Sequence, residues 1–198
     1  YTASADTTIT NAFEADLSTR GTGSNMGYAD SVEIFSIYGQ QSGSTDGQSP
    51  EISRALVQFP INEVSADRTA GTVPASGSVS FYLKMYNAEH PFTLPQDFNL
   101  VVAPVSQSWS EGTGLDMDEY KDLGSSNWIN ANSTTAWTNI GGDYLSNNNE
   151  NISFPLGYEN IELDVTDIVE HWIKGTAGGS YENYGFGIRL TASQEGHY

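Results

Sequence analysis

The chain has no cysteine among its 198 residues, so disulfides, zinc thiolates and thiol nucleophiles are all excluded. Positive charge is scarce. Seven Lys and Arg face 25 Asp and Glu, for a formal net charge of −18. A surface of that sign repels nucleic acid and anionic lipid, so neither is expected as a partner. It attracts divalent cations. No apolar run approaches the ~20 residues that a membrane-spanning helix needs, and no membrane insertion is expected. The chain opens at Tyr1 with no signal-like segment, which points to a processed form or a piece of a longer chain. Apolar residues are few, at 37%, yet aromatics at 12% supply the bulk for one core. The length fits a single domain over residues 1–198, because all-β sandwiches often run to this size as one unit.

What is present is a period of two. Val79, Phe81, Leu83 and Met85 alternate with Ser80, Tyr82, Lys84 and Tyr86. Ile161, Leu163 and Val165 alternate with Glu162 and Asp164, and Phe186, Ile188 and Leu190 with Gly187 and Arg189. Each reads as a strand with one buried face. Val32–Tyr38, Arg54–Phe59 and Leu100–Val105 are further strand candidates. Gly39–Pro50 and Gly141–Ser153 read as loops. There is no internal repeat and no linker. One window breaks the pattern: in Thr166–Lys174 the apolar Ile168, Val169, Trp172 and Ile173 share a helical face. Thr166 is the expected N-cap and Gly175 the expected C-terminal stop. The expected fold is an all-β sandwich of jelly-roll type with one short helix plugging an open end.

No catalytic constellation stands out. His90, His171 and His197 are far apart, and no nucleophile motif accompanies them. The Gly21–Gly27 stretch misses the dinucleotide-binding spacing and reads as a loop. Carboxylates are abundant, so a glycosidase pair would arise by coincidence of residue type alone. No enzymatic activity is expected. The sharpest polar cluster is Glu111–Glu119, where Asp116, Asp118 and Glu119 with nearby glycines form a candidate calcium loop. Its bland counterpart is a solvated acidic loop. Tyr82, Tyr86, Trp128 and Trp137 are candidates for stacking on sugar rings, though a Trp in a long loop more often covers a core edge. Arg54 leads an apolar strand, and pairing with Asp6 or Asp164 at the sandwich edge is the expected role.

Several separated segments together resemble the DNRLRE-type β-sandwich domain, which also occurs as a carbohydrate-binding module. They are Ala5-Asp6-Thr7, Asn25 with Gly27, Arg54 through Ile61, Val105 through Trp109 to Glu111, Leu163-Asp164-Val165-Thr166 with Val169, Trp172 and Gly175, and Asn183 through Ile188. The likeness spans nearly the whole chain. Pro60 stands where the family has Asp, and Trp128 or Trp137 replaces a nearer threonine-tryptophan motif. Arg54, Asp164, Thr166 and Trp172 are structural positions on this resemblance. Ser106 through Gly112 is similar to segments of structural proteins of marine tailed phages. The resemblance implies a non-catalytic virion protein meeting other copies or other virion proteins. The alternative is a carbohydrate-binding module, calcium-dependent or not, of a secreted or cell-surface protein. Location would accordingly be the virion or the extracellular space.

Overall fold

The computed structural model describes residues 1–37, 51–89, 91, 93–115, 121–175 and 182–196. Among these, the elements in chain order are β1 Ala5–Thr10, β2 Ser36–Ile37, β3 Glu51–Gln58, α1 Ile61–Thr69, β4 Tyr82–Met85, β5 Phe98–Pro104, β6 Glu150–Phe154, β7 Ile161–Asp164, α2 Thr166–Lys174, β8 Phe186–Leu190 and α3 Ala192–Gly196. The large sheet runs β1-β3-β8-β5-β6, with β2 pairing with β3 beyond the end of β1. A second sheet pairs β4 with β7. Every strand pair is antiparallel. The chain is therefore β-rich with few helices.

Both faces of the large sheet are covered. On one face, Ala55, Val57, Leu100, Val102, Phe186 and Ile188 pack against Ile168, Val169 and Trp172 of α2 and against Leu83 and Ile161 of the small sheet. On the other, Ile9, Ile52 and Leu56 pack against Val105, Trp109, Trp128, Ala131 and Trp137. Double coverage explains why β3 reads Ala-Leu-Val without alternation, since a strand buried on both faces is apolar on both. The second layer has little regular structure. It is made largely of the segment after β5, held by side-chain hydrogen bonds.

The helix at Thr166–Lys174 has the bounds that its apolar spacing predicts. Its place and cap differ. It lies on a face of the large sheet and not at an open end, with the Trp172 ring 4.8 Å from Phe186 in central strand β8. Thr166 is the first helical residue, with Val165 at the cap position. The Thr166 N–H donates to Asp164 Oδ1 at 2.9 Å, and Thr166 Oγ1 accepts the Phe81 N–H at 2.8 Å. These two residues thus stitch α2 to β7 and to the start of β4. Gly175 ends the helix at φ 68°, a region that glycine enters without strain.

Two helices and one strand go beyond the sequence reading. Helix α1 buries only Val64, so it has no apolar stripe to reveal it. Arg68 on α1 makes a two-point ion pair with Glu170 on α2, with both contacts at 2.7 Å. Helix α3 is one short turn anchored by Glu195. Strand β6 falls in a segment expected to be loop. Three of its five residues are Glu, Asn and Ser, because as an edge strand it is mostly exposed and needs no alternation. Within Val32–Tyr38 only Ser36–Ile37 is strand among the described residues, and Tyr38 and Gly39–Pro50 lie outside them.

Candidate functional site

Arg54 is the centre of the loop-covered face. Register puts it opposite Ile9, pointing into the second layer. Its partner is neither Asp6 nor Asp164 but Glu195: Nε donates to Oε1 at 2.9 Å and Nη2 to Oε2 at 2.7 Å. Nη1 donates to the Gly141 carbonyl at 2.7 Å. The guanidinium also lies 5.0 Å from the Trp128 ring centre. A planar cation satisfied on three edges and stacked on a face is fixed in place. This cluster fastens α3 and the Gly141 turn to β3, and its polar groups are occupied in doing so.

Trp128 and Trp137 are 5% and 4% exposed, so neither presents a ring to a sugar. Their burial has a simple cause. With few aliphatic residues after β5, the tryptophans serve as that layer's core, and Trp137 Nε1 donates to the Asn127 carbonyl at 2.8 Å. Trp172 is likewise buried in the opposite core.

Asn25 is fully buried and joins four chain segments. Its Nδ2 donates to Thr7 Oγ1 at 3.1 Å, to the Glu111 carbonyl at 2.6 Å and to the Ser126 carbonyl at 2.8 Å. Its Oδ1 accepts the N–H groups of Gly27 at 3.0 Å and Gly114 at 3.1 Å. The glycines are required by close approach: a Cβ at Gly114 would lie 1.9 Å from the Asn25 carbonyl oxygen. Nearby, the Asp6 N–H donates to Glu111 Oε1 at 2.9 Å. Burial, and then the Glu111 charge, hold the Asp6 carboxyl above its usual range. A raised carboxyl stabilises the fold only while protonated, so its contribution is lost as pH rises. Asp6→Asn is expected to raise the melting temperature at neutral pH, with the advantage fading in acid below the carboxylate range. Calorimetry over a pH series checks this.

Tyr82 and Tyr86 are exposed, on the outer face of the small sheet. There Tyr82 sits opposite Asp164 and Lys84 opposite Glu162, while Leu83 and Met85 turn inward. Tyr82 is 51% exposed and Tyr86, just past β4, is 81% exposed. Four residues along an extended strand separate the rings by about 13 Å. Between them Lys84 Nζ and Glu162 Oε1 stand 3.3 Å apart. Beside Asp164 opens a polar cavity of about 370 Å³, lined by Ser80, Asn148, Glu150, Thr166 and Asp167. Thr166 hydrogen bonds lower the Asp164 carboxyl, keeping it ionised. This ridge offers two aromatic faces with charged hydrogen-bonding groups between them, an arrangement suited to stacking and to hydroxyl recognition. Alanine at Tyr82 or Tyr86 is expected to change stability by no more than about 0.5 kcal/mol, because neither ring is buried. Urea unfolding of the two variants measures it.

Asp116, Asp118 and Glu119 lie outside the described residues. Among the described residues, no group of three or more His, Asp or Glu is placed to hold a metal ion. His171 is half-buried on α2, its Nδ1 2.6 Å from the Asp167 carbonyl, and His90 and His197 are outside the described set. No described helix is long and apolar enough to cross a membrane. Comparison with family models, with curated proteins and with solved structures gave no match to this chain.

Proposed function

We propose that the chain is a non-catalytic structural domain of a phage virion, a β-sandwich of jelly-roll type that acts through its outer surface. The observation that carries this reading is the use made of the segment similar to phage structural proteins. Within Ser106 through Gly112, Trp109 Nε1 donates to the Tyr184 carbonyl at 2.8 Å, the Ser110 N–H donates to the Ala131 carbonyl at 3.0 Å, and Glu111 holds the β1 edge. Residues spent on fastening layers together fit a scaffold better than a reaction centre. A net charge of −18 with few lysines suits a surface that meets neighbours at chosen points and repels them elsewhere. Gold-labelled antibody to the chain should decorate intact tailed-phage particles. Labelling of free protein only, with bare particles, would count against the reading.

A second reading rests on the Tyr82–Tyr86 ridge, which has the form of a polysaccharide platform. At this net charge a neutral glycan is admitted, while an acidic one would need a calcium bridge. A glycan array with and without calcium, repeated on Tyr82→Ala and Tyr86→Ala, tests it. Binding by the parent that both variants lose would favour the module.

A further inference from the structure

We propose that β6 is an assembly edge, through which two copies of this chain pair antiparallel and join their large sheets. The inference rests on the reading of the chain as an assembling domain and names the partner.

Strand geometry shows which β6 groups are free. The Val105 N–H donates to the Gly185 carbonyl, so the odd residues of β5 face β8. The even residues Phe98, Leu100 and Val102 then face β6, where they pair with Phe154, Ile152 and Glu150. Backbone groups alternate sides along a strand, which leaves the N–H and C=O of Asn151 and Ser153 pointing away from the sheet. Among the described residues, no backbone hydrogen bond outside the strand pairings involves these four groups.

The other edges are treated differently. Along β1, Glu111 accepts the Asp6 N–H and Thr8 Oγ1 accepts the Glu33 N–H. Strand β4 carries Lys84, and β7 carries Glu162 and Asp164, whose charges would repel a copy of the same strand. Strand β6 has no Lys and no Pro, and its one charge, Glu150, sits at its end.

The register centred on Ile152 satisfies every outward group within β6 itself. With Ile152 facing its own copy, Asn151 pairs with Ser153 of the other chain and Ser153 with Asn151, which closes four hydrogen bonds. Glu150 then faces Phe154, so no carboxylate opposes a carboxylate. Shifting the register toward Pro155 sacrifices a donor, and shifting it to centre on Glu150 sets two carboxylates face to face. Ile152 is partly buried against the core, and in this register its side chain meets its twin across the closer type of cross-strand pair. The acidic surfaces repel, so pairing should tighten as salt rises.

Sedimentation velocity on the full chain, from micromolar to about millimolar, provides the first test. A concentration-dependent dimer that strengthens with salt is expected. Asn151→Pro removes only an outward N–H, a place where an edge strand tolerates proline. Two of the four bonds vanish, and dimerisation should weaken about tenfold or more. The cysteine-free background supplies a second test that does not depend on that variant folding. Ile152→Cys places two thiols on Cα atoms about 4.5 Å apart, within disulfide range, and should cross-link on mild oxidation. Leu156→Cys, at 46% exposure and beyond the end of β6, stands away from the axis that relates the two strands and should not. A parent that stays monomeric throughout, or a dimer that survives Asn151→Pro without the Ile152→Cys cross-link, overturns the inference. Either result concerns the isolated chain, and the particle-labelling experiment still decides the virion reading separately.

Discussion

Arg54→Ala is expected to destabilise the fold by about 3–5 kcal/mol, the range for removing one partner of a buried ion pair. The Arg54 and Glu195 side chains are only 15% and 10% exposed. Truncation leaves the Glu195 carboxylate without its cation and the Gly141 carbonyl without its donor. It also opens a gap beside Trp128 and Tyr144, over both of which the guanidinium lies. Removing Arg54 and Glu195 together, as Arg54→Met with Glu195→Leu, is expected to restore much of the loss. A buried pair replaced by apolar groups of similar size is often close to neutral. Urea denaturation of the parent, the single variant and the double variant checks both statements. A double variant as unstable as Arg54→Ala would show that packing over the tryptophan, and not charge, is what the arginine supplies.

Asn25→Asp is nearly isosteric and is nonetheless expected to cost about 4 kcal/mol or more at neutral pH. The side-chain amide gives its two hydrogens chiefly to the Glu111 and Ser126 carbonyls, in two different segments, and a carboxylate has no donor for either. Each buried polar group left unsatisfied costs about 1–3 kcal/mol. The Gly27 and Gly114 N–H groups still find an acceptor, which limits the damage to one side of the site. Burial among carbonyls raises the folded-state pKa of the new carboxyl. Relative to the parent, the variant should therefore be least impaired in acid, and its deficit should grow as pH rises through that value. Denaturant melts at acid and neutral pH measure the difference. An equal deficit at both would point to the lost amide donors and not to charge.

The parts of the fold legible in the sequence are those whose partners lie along the same local period. Ile161–Asp164 and Phe186–Leu190 show themselves by alternation, and α2 by the spacing of Ile168, Val169, Trp172 and Ile173. Strand β6 was hidden because an edge strand of polar residues carries no period. Helix α1 was hidden because it is held at Arg68 by a residue 102 positions away. The site was less legible still. Glu195, the partner of Arg54, stands 141 positions on in a one-turn helix. Nothing local distinguishes it from the other carboxylates of an acidic chain. Trp128 and Trp137 sit among Asn, Ser and Thr, which resembles an exposed loop. Their burial follows only when that loop is seen to cover a sheet. Tyr82 and Tyr86 were legible for the opposite reason, since alternation around Leu83 and Met85 turns both outward.

Quantitative mass spectrometry of purified particles tests the central claim, that this domain is built for assembly, most directly. The account predicts the chain at many copies per particle, in fixed ratio to the other structural proteins and retained through density-gradient purification. Absence from particles, together with micromolar glycan binding by the isolated chain that depends on Tyr82 and Tyr86, would contradict it.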